Sequence, residues 1–178
     1  MRENTFNRLF ELMYEMNRDL TIVETGTIRF RDHAYGDGYS TLKFCAFLFN
    51  QGQSDFYTVD TQESCLSLSK TIVEETFNAI PERANFVEST GADFLKSFDK
   101  KIDVLYLDSA NSEDITLEEY ESAKHLLKED SVVMIDDADR NNPKLNKWKK
   151  VVPQMEKDGW SVDTWEYQVI LTRSNNDE

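Results

Sequence analysis

Carboxylates recur at one kind of place in this chain, directly after a short apolar run. Glu24 follows Leu20-Thr21-Ile22-Val23, Asp60 follows Asp55-Phe56-Tyr57-Thr58-Val59, and Asp108 follows Asp103-Val104-Leu105-Tyr106-Leu107. Asp136 and Asp137 follow Ser131-Val132-Val133-Met134-Ile135, with Asp139 just beyond, and Ala84-Asn85-Phe86-Val87 leads into Glu88 and, further on, Asp93. A carboxylate pair of oxygens can accept both hydroxyls of a ribose, and several carboxylates together favour a cationic ligand. The first of these places also carries Gly26, Gly36 and Gly38, where glycine lets a ligand approach backbone without a Cβ in the way. Ser40 and Thr41 open a helical pattern there, and free N–H groups at a helix start suit an anionic group. A dinucleotide loop would need the tight G-x-G-x-x-G spacing, which is missing, and Glu24 and Asp37 would repel a diphosphate. A ligand with one carboxylate and cationic groups elsewhere fits better. His33, in the same loop, is a candidate general base.

The elements that must position these groups follow from periodicity. Phe6, Leu9, Phe10, Met13 and Met16 predict a leading amphipathic helix over residues 5–19, within an N-terminal stretch of 1–19. Further helical spacings run through Leu42, Cys45, Ala46 and Phe49, through Leu68, Ile72, Val73 and Phe77, and around Phe94, Leu95 and Phe98. Leu117, Tyr120, Ala123, Leu126 and Leu127 predict another helix, and Leu145, Trp148, Val152 and Met155 a last one, interrupted or restarted at Pro153. Trp160–Trp165 and 168–173 read as a closing antiparallel hairpin. Apolar strands alternating with amphipathic helices mean a parallel sheet covered on both faces. Ligands of such sheets bind outside the carboxyl ends of the strands, where the carboxylates fall.

Composition narrows the classes. The 178 residues give one expected domain with no linker or repeat. A net charge of −14 argues against a general nucleic-acid or anionic-lipid surface. The 39% hydrophobic content is too high for a disordered acidic chain. No apolar run is long enough to span a membrane, and the first residues do not read as a signal peptide. Cys45 and Cys65, both in apolar surroundings, read as reduced thiols of a cytoplasmic protein rather than a disulfide or zinc site.

The ordered set Val-Glu-Thr-Gly-Thr, Gly-Tyr-Ser-Thr-Leu, Tyr-Thr-Val-Asp, Asp-Val-Leu-Tyr-Leu-Asp-Ser and Val-Val-Met-Ile-Asp-Asp resembles the class I S-adenosylmethionine-dependent methyltransferases. It is most similar to their small-molecule O-methyltransferase branch, over residues 20–139. The resemblance implies an α/β, Rossmann-like three-layer sandwich whose mostly parallel seven-stranded sheet has an antiparallel last strand. It implies S-adenosylmethionine as cofactor, with Glu24 and Gly26 at the methionine part, Asp60 at the ribose, Gly91 and Asp93 within the adenine stretch, and Asp108 beside the sulfonium and acceptor. The chain departs from the family in a longer loop over residues 25–39, placed above the cofactor site, and in Glu88-Ser89-Thr90-Gly91-Ala92-Asp93 as the adenine stretch. Members of this branch also hold magnesium with carboxylates matching Asp108, Asp136 and Asp137, although the downstream Lys or His base is absent where Ala110 and Asn111 stand. Hard oxygen ligands of this kind suit magnesium, which would lower the pKa of an acceptor hydroxyl.

Plainer roles compete for several of these residues. Asp60 with Glu63 could form a capping box, and Asp136 to Asp139 a solvated acidic turn. His125 reads as structural, the three tryptophans as core or interface, and Lys144 to Lys150 as a solvated basic helix face. The expected activity is methyl transfer, with oxygen as nucleophile, to a small molecule or sugar. A nicotinamide- or nucleotide-dependent oxidoreductase and a non-catalytic interaction module stand as alternatives. A homodimer is one way so short a chain could complete an acceptor pocket.

Overall fold

Every strand that the sequence marks by an apolar run forms in the computed structural model, which describes residues 2–33 and 39–173. The strands are β1 (Thr21–Thr25), β2 (Asp55–Asp60), β3 (Ala84–Glu88), β4 (Ile102–Leu107), β5 (Leu127–Ile135), β6 (Trp160–Trp165) and β7 (Val169–Arg173). The helices are α1 (Arg2–Glu15), α2 (Tyr39–Asn50), α3 (Glu63–Phe77), α4 (Gly91–Ser97), α5 (Glu113–Ala123) and α6 (Trp148–Lys157). The sheet order is β3-β2-β1-β4-β5-β7-β6. Pairings from β3 through β5 are parallel, and β7 is antiparallel to both β5 and β6. The expected Rossmann-like sandwich with its antiparallel last strand is therefore present.

Successive side chains of a strand point to opposite faces, and here both faces are buried. Ile22, Val104, Tyr106, Val132, Met134 and Ile170 join Phe6, Leu9, Phe44 and Val73 in one core. Their neighbours Val23, Leu105, Leu107, Val133, Ile135 and Leu171 join Leu95, Tyr120, Val151 and Met155 in the other. One core thus lies under α1, α2 and α3, and the second under α4, α5 and α6. No described helix is long and apolar enough to cross a membrane.

Three boundaries differ from the periodicity. α1 begins at Arg2 rather than Thr5 and ends at Glu15 rather than Asp19. Its end is set by Asn17, whose left-handed φ of 46° an asparagine tolerates better than most residues. Leu127 belongs to β5 and not to the preceding helix, because it pairs with Ile102 before a register shift delays the main pairing until Val132. α6 runs through Pro153 without restarting, since an exposed proline there forfeits only one backbone hydrogen bond.

Candidate functional site

The carboxyl ends of β1, β2, β3 and β4 border a cavity of about 710 Å³. Gly26, Asp60, Gly91 and Asp93 line it, together with Ser109 and Glu119. At 710 Å³ it has the size of a small-molecule site.

Gly26 lies at the turn where β1 passes closest to β4. Its φ is +93°, and an added Cβ would sit 2.4 Å from the Asp108 carbonyl oxygen. Its N–H donates to the Val59 carbonyl at 2.7 Å, and the Asp108 N–H donates to the Thr25 carbonyl at 3.0 Å. The turn thereby ties three adjacent strand ends together, and only glycine satisfies both the dihedral and the space.

Asp60 ends β2 with one oxygen accepting the Gln62 N–H at 2.9 Å. The capping box with Glu63 does not form, because Gln62 is the N-cap of α3 and makes no side-chain cap. Gly91 opens α4 behind the N-cap Thr90, whose hydroxyl accepts the Asp93 N–H. A Cβ at Gly91 would fall 2.1 Å from Glu119 Oε1, so the absent side chain makes room for that carboxyl group.

Two buried carboxyl groups at this end of the sheet, Glu119 in the cavity wall and Glu24 at the end of β1, have surroundings that disfavour their charge. Glu24 is 1% exposed. Its Oε2 accepts from the Thr41 hydroxyl at 2.7 Å and the Thr58 hydroxyl at 2.8 Å. Its Oε1 is buried without a hydrogen-bond partner. Burial raises its pKa to about 7 against the pull of the Ser40, Thr41 and Thr58 hydroxyls. Glu119 accepts from Thr25 Oγ1 at 3.1 Å through Oε2, and its Oε1 is also buried and unpartnered. Burial raises it to about 7 as well, with Ser109 moderating the rise although its hydroxyl completes no hydrogen bond. Unpaired buried oxygens are uncommon and mark places that a ligand or water completes.

Beyond the cavity, Asp108, Asp136 and Asp137 bring one carboxylate oxygen each within 4.8 Å of one another, the set expected for magnesium. The position among them is taken. Lys147 Nζ lies 2.5 Å from Asp108 Oδ1 and 3.6 Å from Asp137 Oδ2. Arg2 Nη2 lies 3.0 Å from Asp136 Oδ2 and 3.2 Å from Asp137 Oδ1. Lys147 is 2% exposed and is held protonated by the three carboxylates in spite of its burial. Burial and the Asp136 charge push the Asp108 carboxyl well upward against the pull of Lys147. Magnesium requires near-octahedral oxygens at about 2.0–2.1 Å, and this arrangement, with an ammonium between the ligands, does not fit it.

Of the expected site residues, Gly26, Asp60, Gly91 and Asp93 line one cavity, and Asp108 adjoins it through Ser109. Glu24, Ser40 and Thr41 are buried and not part of its lining, and the Thr41 hydroxyl is engaged by Glu24 rather than presented to a ligand. Gly36, Gly38 and the His33 side chain fall outside the described residues. Three functional candidates escaped the sequence reading. Lys147 is the N-cap of α6, four residues before the buried Val151, and a lysine in line with that buried face must find a buried carboxylate. Glu119, beside Tyr120 in a helix that packs on the sheet, carries a similar but weaker signal. Arg2 carries none, since its partners lie 134 and 135 residues away.

A family model described as "Methyltransferase domain" matches residues 35–138, more than half of the chain. The protein belongs to this methyltransferase family and is an S-adenosylmethionine-dependent transferase. No curated protein matches the sequence. Among solved structures, the O-methyltransferase NovP is similar over 98% of this chain and 80% of its own, with a TM-score of 0.71 and 16% identity. The calicheamicin methyltransferase CalS11 is similar over 94% and 77%, with a TM-score of 0.68 and 15% identity. PaMTH1 of Podospora anserina, solved with S-adenosylhomocysteine, covers 87% of this chain and 72% of its own at a TM-score of 0.60 and 14% identity. At such identities the likeness is one of fold.

Proposed function

We propose that the protein transfers the methyl group of S-adenosylmethionine to an oxygen of a small molecule or sugar, with the 710 Å³ cavity as donor site. The observation that carries this reading is the unpartnered oxygen of Glu119 in the wall of a cavity edged by Asp60 and Asp93, with a second unpartnered oxygen on Glu24 at the adjoining end of β1. A donor with a sulfonium and an ammonium group is the kind of ligand that such an acidic site favours. Asp60 has one oxygen left after the Gln62 bond to accept a ribose hydroxyl. The stretch Ser89 to Asp93 borders the adenine, and Glu24 and Gly26 support the methionine end. Ser40 and Thr41 contribute through Glu24.

When bound, S-adenosylmethionine supplies an electrophilic methyl whose bond to sulfur breaks as the bond to the acceptor oxygen forms. The chain contributes orientation and a destination for the acceptor proton. Asp108, with its carboxyl pushed upward by burial, is suited to receive that proton, and His33 is the second candidate. A further cavity of about 520 Å³ between Asn4, Asp139, Arg140, Asn141, Trp165 and Tyr167 offers polar side chains suited to sugar hydroxyls. The similar fold of CalS11, described as a TDP-rhamnose 3'-O-methyltransferase, adds support for that acceptor class. The setting is cytoplasmic, where the buried Cys45 and Cys65 remain free thiols. Nucleic acid and membranes are not partners of a surface this acidic, and a homodimer would enlarge the acceptor side.

Isothermal titration with S-adenosylmethionine and S-adenosylhomocysteine tests the donor site. Saturable binding of both, weakened at least tenfold by Asp60→Ala, is expected, that factor being about 1.4 kcal/mol. Absence of heat with either ligand at millimolar concentration overturns the reading.

A further inference from the structure

Three carboxylates meeting at strand ends would, on oxygen chemistry alone, attract a divalent cation, and this chain fills their centre with its own side chains. Lys147 Nζ contacts Asp108 and Asp137, and Arg2 bridges Asp136 and Asp137. Both cations arrive from distant segments, Lys147 from the start of α6 and Arg2 from the first turn of α1. Lys147 ranks among the largest fully enclosed side chains of the protein. A buried ammonium is tolerated only where carboxylates surround it, so the cluster and Lys147 require each other.

We infer that Lys147 and Arg2 are built-in counter-ions that replace a divalent metal, with Lys147 acting as the positioning residue for Asp108. Charge balance supports this. Three carboxylates against two cations leave one negative charge, and Asp136 Oδ1 remains buried without a partner. A neighbouring sulfonium cancels that residual charge. A divalent ion added to the same cluster would turn the balance positive and repel the sulfonium. This inference rests on the proposed donor site for the charge of the ligand and on nothing else in that reading. Expelling Lys147 while keeping the carboxylates should uncover the latent metal site.

Manganese, followed by water-proton relaxation, is the probe, with binding of S-adenosylhomocysteine measured in parallel. The wild-type protein is expected to show no saturable manganese site tighter than about 1 mM. Its affinity for S-adenosylhomocysteine should change by less than about twofold between magnesium and EDTA. Lys147→Met should gain a saturable manganese site that disappears in the Lys147→Met/Asp108→Asn double variant. Magnesium should restore product affinity to Lys147→Met, a rescue that a merely space-filling lysine would not allow. A wild-type manganese site that Asp108→Asn abolishes overturns the inference, and this arm stands even if Lys147→Met does not fold. A folded Lys147→Met that gains no site also overturns it. Failure of S-adenosylhomocysteine to bind at all would instead count against the donor site, while the manganese titration still decides the occupant.

Discussion

The two ends of the sheet treat buried carboxylates in opposite ways. At the amino end, Asp103 is 1% exposed and fully partnered. It accepts from Arg18 Nη2 at 2.7 Å, Lys128 Nζ at 2.6 Å and the Thr21 N–H at 2.8 Å. At the carboxyl end, Glu24, Glu119 and Asp136 each keep a buried oxygen without a partner. Burial desolvates carboxylates at both ends, but only Asp103 at the amino end has both oxygens partnered from within the chain. A closed network pins strands, whereas an open one is stabilised further by whatever ligand completes it. The contrast locates function by unfinished hydrogen bonding rather than by acidity, which both ends share.

The largest effect should come from breaking the closed end. Asp103→Ala is expected to destabilise the fold by about 3 kcal/mol in urea denaturation, since it strands the Thr21 N–H and two cations. Affinity of the folded fraction for S-adenosylhomocysteine should stay within about twofold. A large affinity loss with intact stability would erase the distinction between the two ends. Gly26→Ala strikes the open end through backbone, and should cost about 2–3 kcal/mol from the positive φ and the contact with the Asp108 carbonyl. Donor binding should fall with it, and wild-type affinity in this variant would contradict the turn's role.

Protonation separates the two ends as well. Glu24 and Glu119 are raised to about 7 in the folded protein. The unfolded chain releases these protons near the ordinary glutamate value of about 4.3, so the folded state binds more protons between that value and pH 7. Stability of the ligand-free protein should therefore decline as pH rises across this window and level off above it. Denaturation at pH 5, 6 and 8 measures the slope, and a rise in stability over that range would refute the assignment. The smallest change belongs to Glu119→Gln. At pH 8 it removes an ionised buried carboxylate and should stabilise the ligand-free protein by about 1 kcal/mol while weakening donor binding. A loss of stability there would mean that the Glu119 network is already complete.

The sheet was readable because each central strand is buried on both faces, so runs such as Val104 to Leu107 stand out against a 30% charged chain. Leu127 was misassigned because its helical spacing from Ala123 and its strand pairing with Ile102 compete, and tertiary pairing wins. The strand-end carboxylates were legible as a set, yet their roles were not. Glu24 looked like a ligand-facing group and lies buried against Thr41 and Thr58, while Asp108, Asp136 and Asp137 looked like a metal set and meet Lys147. Lys147 itself was hidden in a lysine-rich segment that resembles a wet helix face. Its burial depends on a partner 39 residues upstream, a distance that no local pattern reports.

The insertion of β7 between β5 and β6 has a consequence for how the molecule comes into being. Until residues 169–173 have docked, Val132–Ile135 of β5 are paired with β4 on one side only and present an open apolar edge, the kind of edge that invites association with other chains. Gln168, beside β7, also bonds Tyr106 and Thr5, so the last strand helps to hold the first helix on the sheet. The Arg2-dependent charge cluster and the closing strand are thereby linked through Thr5 and Gln168.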